Sequence, residues 1–158
     1  MKNFIFASIL LALLLIVNAA PFQLNKRATT FDPCDFGDFI DVNIRTDPPE
    51  SGKKESYDVS GNLTQGDITK DISFLFIVYL GEEEQLGTPY FQNFTDSHKA
   101  GSPFKISASD VPTPTQLPDS YRLEVAVGDP DKTFFGCAVA TVGNSSKKSK
   151  IIDFYKLI

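Results

Sequence analysis

Two cysteines, Cys34 and Cys137, bracket nearly the whole part of this chain that can fold, behind a leader that has the composition of an export signal. Disulfides form and persist in exported proteins, so the pair predicts a bond between the first strand of a domain and one of its last. Closing a loop of roughly 100 residues stabilises a fold by about 4–5 kcal/mol in the chain-entropy treatment. Two unpaired buried cysteines are the alternative.

Residues 1–19 predict a cleaved signal peptide. A short basic start, Met1–Asn3, precedes an apolar run, Phe4–Val17, and small residues follow. The run is short for a membrane span, because a transmembrane helix needs about 20 apolar residues. We expect cleavage before Ala20 and a soluble product, either secreted outside the cell or held in the lumen of the secretory and vacuolar pathway.

Residues 20–27 form a possible propeptide, because they end in the dibasic pair Lys26–Arg27; two solvated charges in a leader that stays attached are the alternative. Cleavage there would leave residues 28–158 as one domain, with a core of about 31–143 and a C-terminal extension, 144–158. Three positive charges and no acid would leave with the first 27 residues, so the formal charge would fall from −5 to −8. Such an acidic domain is a poor nucleic-acid binder, since phosphate backbones require clustered Lys and Arg.

Alternating apolar and polar residues predict strands over 40–44, 57–63, 121–127 and 135–141, with Gly61 marking a bulge. The last two strands flank a turn at Gly128–Asp131 and predict a hairpin. Phe104 and Ile106 begin a further short strand, which a proline-rich crossover over 111–118 follows.

Residues 72–80 are apolar at almost every position, with Phe74, Phe76 and Val78 on one side of the predicted strand. A strand of this kind is covered on both faces, or its second face meets a ligand or another chain. Helix is the competing interpretation, but β-branched and aromatic residues favour a strand. Residues 82–100 predict a long acidic and then aromatic loop, and loops of that length are often functional.

About seven short strands between Gly, Pro and Asp turns predict an all-β fold, a two-sheet immunoglobulin-like β-sandwich. The chain contains no tryptophan, and Cys34 precedes the first clear strand. Both features differ from antibody domains, in which a buried Trp packs on a disulfide between two mid-domain strands. The sequence therefore predicts a sandwich of another family.

The order of several features resembles the ML lipid-recognition domain over roughly residues 31–143. The features are an early Cys34, a proline-rich turn Asp47–Gly52 and a strand that ends in Gly61, followed by Pro118, Tyr121 at the start of a strand, and Cys137 in the last main strand. The last three lie in the stretches Leu117–Val125 and Phe134–Val139. The fungal phosphatidylglycerol/phosphatidylinositol transfer proteins are the most similar branch, and the Niemann–Pick lysosomal cholesterol carrier is related. One departure is clear: the second cysteine pair usual in the family is missing, with Ser102 where a cysteine is expected. The missing pair puts the shape of the cavity mouth and the choice of lipid in doubt.

The resemblance implies a secreted monomer that holds a phospholipid or sterol in an apolar cavity between the sheets and touches membranes transiently. It implies no cofactor and no covalent chemistry. The candidate lipid-binding residues are Phe74, Phe76, Val78, Phe104, Ile106, Tyr121, Leu123 and Val125. The candidates for the cavity mouth or membrane contact are Tyr90, Phe91 and Phe94. A plainly packed core, and a loop held down by its own aromatics, are the alternatives.

Three N-x-S/T acceptors, at Asn62, Asn93 and Asn144, predict surface sites for N-glycosylation. Enzymatic signals are weak, because His98 is the only histidine and no serine lies in a G-x-S-x-G elbow. No spacing of His or Cys predicts a metal site. The rival function is a secreted, glycosylated interaction or recognition module that carries no lipid.

Overall fold

The computed structural model describes residues 29–131 and 133–143. Eight strands follow one another, and none of the described residues forms a helix, let alone an apolar one of membrane-spanning length. The strands are β1 (Phe31–Pro33), β2 (Asp38–Ile44), β3 (Lys54–Asn62), β4 (Phe74–Leu80), β5 (Gln85–Asn93), β6 (Pro103–Pro112), β7 (Tyr121–Gly128) and β8 (Phe134–Val142). The predicted all-β class is confirmed. The signal peptide, the possible propeptide, Asn144 and the C-terminal extension lie outside the described residues.

The strands pair in the order β5-β4-β7-β8-β2-β3-β6, and β1 pairs with β8. β2 connects two layers, because Asp38 and Phe39 pair in parallel with β8 whereas Ile40–Ile44 pairs antiparallel with β3. We call β5, β4, β7 and β8 the β4 layer, and β2, β3 and β6 the β3 layer. The two strands at the ends of this order, β5 and β6, come close together, so the sandwich is nearly closed into a barrel.

The alternation predicted for β2 and β3 is confirmed, since Ile40, Ile44, Tyr57 and Val59 are buried between the layers. Gly61, however, pairs regularly with Ile40 and Phe104, and the irregularity in β3 lies between Glu55 and Tyr57. A Cβ at residue 61 would lie 3.1 Å from the Phe104 ring and 3.2 Å from Ile40. Glycine is needed there for close packing, and the predicted bulge at this position is wrong.

The predicted loop over 82–100 is wrong in its middle, where β5 pairs with β4 from Gln85 to Asn93. The alternation was hidden by Gly87 and Pro89, which accompany a register shift between Ile77 and Tyr79 on β4. Gly87 has φ +70°, a left-handed conformation that glycine adopts without strain. Pro89 is tolerated because β5 is an edge strand of its layer.

The predicted disulfide is confirmed: Cys34, just after β1, bonds Cys137 in β8, with the Cα atoms 5.6 Å apart and the two residues 103 positions apart in sequence. The predicted β7–β8 hairpin is also confirmed, with the Asp129 N–H donating to the Thr133 carbonyl at 2.9 Å. The last strand, β8, is therefore linked to the N-terminal segment by the disulfide and to β7 by a ladder of backbone hydrogen bonds.

Candidate functional site

The two sides of β4 belong to two different apolar clusters. Leu75, Ile77 and Tyr79 point toward the β3 layer and join the cluster between the layers, which we call the inner cluster. Phe74, Phe76 and Val78 point away from that layer and join a second cluster, with Leu80, Ala126, Phe134 and Cys137. The structure thus corrects the predicted facing of β4. Because every residue of this strand is apolar, its pattern offers no basis for choosing the inward side.

The other five predicted lipid-binding residues are brought together as expected. Phe104 and Ile106 on β6 and Tyr121, Leu123 and Val125 on β7 are all buried members of the inner cluster. They come from opposite layers, so their side chains meet across the gap between the sheets. Contact of any of them with a lipid stays a prediction.

One end of the inner cluster contains hydroxyl groups. The Tyr57 and Tyr79 hydroxyls lie 2.6 Å apart, and the Tyr79 hydroxyl lies 3.4 Å from that of Thr113. The Tyr121 ring lies 5.9 Å from the Tyr79 ring. Burial raises the pKa of all three phenols, so each stays neutral and can donate a hydrogen bond at neutral pH. This network connects both layers at the end where β4 finishes and β7 begins.

The opposite end of the inner cluster is aromatic. Phe94, just after β5, packs edge to face on Phe104 with the ring centroids 5.8 Å apart, and it is 2 % exposed. His98 lies 6.5 Å from the same Phe104 ring, and its backbone pairs with Ile68. Phe94 is thus part of the core. A membrane contact would require its side chain to project outward, and it does not.

A seam separates β5 from β6, where the curled sheet would close. In the described part of the chain no strand ladder joins these two strands. The Gln92 side-chain amide bridges them by donating to the Ser107 carbonyl at 3.1 Å, and the Tyr90 hydroxyl donates to the same Gln92 side chain at 2.8 Å. A layer edge bridged by a side-chain bond opens more easily than a ladder of backbone bonds.

The seam is polar outside and apolar inside. A pocket of about 160 Å³ lies there, lined by Gln92, Asn93, Phe94, Thr95, Asp96, His98, Lys105, Ile106 and Ser107. Phe94 and Ile106 belong to the inner cluster, whereas Lys105 and Ser107 are exposed. The pocket lining therefore combines charged and hydroxyl groups at the surface with two residues of the inner cluster.

The three predicted mouth residues occupy different places. Tyr90 is half-buried at the seam and packs on the inner cluster. Phe91 points to the opposite side of the β4 layer, where it is 46 % exposed and contacts Phe76 with the ring centroids 4.9 Å apart. No local sequence pattern marks Gln92 as a seam residue, because its role depends on which strands end the sheet.

The acidic turn after β7 and the two described sequons lie outside the inner cluster. Asp129 accepts a hydrogen bond from the Ser73 hydroxyl at 2.5 Å, within the turn after β7. No group of three or more His, Cys, Asp or Glu residues that could hold a metal ion occurs among residues 29–131 and 133–143. Asn62 and Asn93 are exposed at the ends of β3 and β5, so both sequons are accessible; their glycosylation stays a prediction.

No family model and no curated protein sequence matches this chain. Among solved structures, chicken MD-1 complexed with lipid IVa is similar at a TM-score of 0.49 with 10% sequence identity, covering 73% of this chain and 88% of that one. A Bacteroides uniformis β-glucuronidase 2 calcium-binding mutant is similar at a TM-score of 0.41 with 15% identity, over 66% of this chain and 13% of that one. Similarities this low carry no argument about function, which rests on the residues themselves.

Proposed function

We propose that this chain is an exported carrier in the manner of the ML lipid-recognition domains, which it resembles in sequence. It takes the apolar part of a phospholipid or sterol between the β4 layer and the β3 layer and transfers it between membranes or to a partner. It performs no covalent chemistry and works as a secreted monomer that touches membranes transiently. The observation that carries the proposal is the β5–β6 seam, where no ladder joins the described strands and a polar pocket borders two residues of the apolar inner cluster.

The energetics of such transfer need no catalyst. Each methylene withdrawn from water contributes about 0.8 kcal/mol, so a free acyl chain in water is very unfavourable. In a bilayer the chain is already dry, and an interior of similar apolarity makes pick-up and delivery nearly balanced. The carrier accelerates transfer because the chain stays shielded during transit.

The two ends of the inner cluster suit different parts of this task. At one end, hydrogen bonds among Tyr57, Tyr79 and Thr113 hold the layers together. At the seam the layers are bridged by Gln92 and Ser107, so separation there requires the loss of that side-chain hydrogen bond. Cargo would enter between β5 and β6, with its polar head beside Lys105 and His98 and its chain against Phe94 and Ile106.

Uptake of fluorescent sterol and fluorescent phospholipid by the purified secreted protein tests the proposal. Ile106→Asp places a charge at the inner side of the seam, and we expect uptake to fall at least tenfold. Ser109→Asp adds the same charge to an exposed position of the same strand and serves as the matched control. Circular dichroism of both variants checks that the fold is retained.

Wild-type protein that takes up neither probe would exclude the carrier function and favour the interaction module. Equal uptake by Ile106→Asp and Ser109→Asp, with both folded, would show that cargo does not enter at the seam. Native mass spectrometry of secreted material gives an independent answer, because a carrier retains a lipid mass that an interaction module lacks.

A further inference from the structure

The side of the β4 layer that faces away from the β3 layer is unusually apolar. We call it the outer face; its centre is Phe76, Val78, Leu80 and Ala126, with Phe74 and Phe134 beside them. Phe76 and Leu80 are 0 % exposed and Val78 is 1 % exposed, although the second layer lies on the other side of the sheet. A sheet face this apolar has to be covered by something.

The outer face also contains a buried charge. Glu124 pairs with Val78 across β4 and β7, so its side chain lies on this face. The side chain is 5% exposed and forms an ion pair with Arg122 through one carboxylate oxygen. The other oxygen, Oε2, is buried and has no hydrogen-bond partner among the described residues. A cover that brings a donor to this oxygen would remove the cost of burying it unpaired.

The chain continues beyond Gly143 for fifteen residues, of which 144–150 are polar and basic and 151–158 are mostly apolar. In the second part Ile151, Phe154, Tyr155 and Ile158 recur at i, i+3, i+4 and i+7, a spacing that collects apolar side chains on one side. The same eight residues contain two hydrogen-bond donors, the Tyr155 hydroxyl and the Lys156 ammonium. This segment matches the outer face in both apolarity and donor content.

The connecting residues are long enough for this segment to reach the outer face. Cys137 on β8 pairs with Ala126 on β7, which pairs with Phe76 on β4. From the end of β8 to Phe76 is therefore about 22 Å at ordinary strand rise and spacing. The eight steps from Gly143 to Ile151 span up to about 27 Å. The leader is the weaker candidate, because export is expected to remove residues 1–19.

We propose that residues Ile151–Ile158 of this chain dock on the outer face of the β4 layer and cover Phe76, Val78 and Glu124. The docked segment separates the outer face from membranes and other proteins. The inference does not depend on the lipid-carrier function, since the outer face and the seam lie on different sides of the β4 layer.

The absence of tryptophan from the chain permits a direct test with a single reporter. In the full-length secreted protein, Phe154→Trp places the reporter in the segment, and Lys148→Trp places it in the polar connection as a matched control. We expect the indole of the Phe154→Trp variant to emit at shorter wavelength than that of Lys148→Trp. It should also be at least threefold less sensitive to acrylamide quenching.

A second substitution locates the docked segment on the outer face. Adding Phe91→Ser, at the rim of this face, to the Phe154→Trp variant should raise the quenching of its indole. Adding Lys105→Ser, on the β3 layer, to the same variant should leave the quenching unchanged.

Equal quenching of the Phe154→Trp and Lys148→Trp variants would overturn the proposal, because the segment would be in water. The proposal would also be overturned if the indole of Phe154→Trp is protected and its quenching does not change when Phe91→Ser is added. The segment would then lie elsewhere. Protection that vanishes on dilution would show that a second copy supplies the segment. Protection that appears only with phosphatidylcholine vesicles would show that the segment binds membranes. Each of these last two results excludes docking within one chain.

Discussion

The two apolar faces of the β4 layer differ in what they pack against. The inner cluster is enclosed by a second sheet, and side chains such as Leu123 and Ile77 meet residues of β3 and β6 across the gap. The outer face is packed by the described residues through Cys34 and a set of phenylalanine rings, with Phe91 half exposed at its rim. The inner cluster thus follows from the strand order, whereas the outer face depends on a cover that no strand of the barrel supplies.

This difference separates stability from function. Hydrophobic side chains between two hydrogen-bonded layers stabilise the barrel and provide its apolar interior. An apolar face on the outside adds little to a sandwich unless something packs on it, and uncovered it would favour association. Substitutions matched between the two faces should therefore have different consequences, and the following predictions are ordered by the expected size of their effects.

The largest effect should follow removal of the disulfide, which lies at the edge of the outer face. The double variant Cys34→Ala/Cys137→Ala removes a cross-link between residues 103 positions apart in sequence. We expect it to lower the free energy of unfolding by about 4–5 kcal/mol, because the unfolded chain gains the entropy of the opened loop. Urea denaturation of the variant measures this loss. A loss below about 1 kcal/mol would show that the β1–β8 pairing holds the N-terminal segment without the bond.

Two fully buried leucines allow a matched comparison of the faces, since Leu123 belongs to the inner cluster and Leu80 to the outer face, both at 0 % exposure. Replacing either by alanine should destabilise the protein within the range of about 2–5 kcal/mol. We expect Leu123→Ala near the upper end, because the second layer encloses its surroundings. Leu80→Ala should lie near the lower end, because its cover can collapse into the space. Equal losses in urea denaturation would mean that the outer face is packed as rigidly as the interior.

The sequence predicted most of this architecture because its strands follow simple rules. Alternation identified the inward residues of β2, β3 and β7, and the two cysteines fixed the covalent link between the chain ends. β5 was missed because Gly87 and Pro89 interrupt its pattern. The facing of β4 could not be predicted, because alternation has no meaning in a strand that is apolar at every position.

The candidate site was predictable only in part, for a related reason. Phe104, Ile106 and Leu123 alternate with polar neighbours, so their inward positions could be read from the sequence. The seam depends on which strands end the sheet order, and the hydrogen bond from Gln92 to Ser107 depends on their separation. Such long-range geometry leaves no local pattern in the sequence.

A smaller effect should come from the hydroxyl end of the inner cluster. Tyr57→Phe removes the hydroxyl that bonds Tyr79 but keeps the ring and its packing. We expect a loss of about 1 kcal/mol in the free energy of unfolding, the usual net value of one buried hydrogen bond. Tyr90→Phe at the seam is the matched control and should cost less, because its hydroxyl is half-buried and can bond water. A larger loss for Tyr90→Phe would show that the seam, not the hydroxyl end, holds the layers together.

The smallest expected effect is a pH dependence that originates on the outer face. Burial raises the pKa of Glu124 in the folded protein, despite the opposing effect of Arg122. The folded state therefore holds this proton more tightly than the unfolded state, and stability is lost as pH rises from the ordinary carboxyl pKa through the raised folded value. In Glu124→Gln this loss is absent. The free energy of unfolding of the wild type should thus fall relative to that of the variant as pH rises above the ordinary carboxyl pKa of about 4.

Urea midpoints across this pH range measure the difference, and the exposed Glu84→Gln variant corrects for the general effect of removing one negative charge. Leaving Arg122 unpaired changes the free energy of unfolding of the variant by a constant amount. Such an offset does not alter how the free-energy difference depends on pH. A difference that is flat with pH after this correction would mean that a donor, such as the Tyr155 hydroxyl of the docked segment, reaches the Glu124 carboxylate and balances its burial. In that case the buried polar groups of the outer face would be hydrogen-bonded as completely as those of the inner cluster.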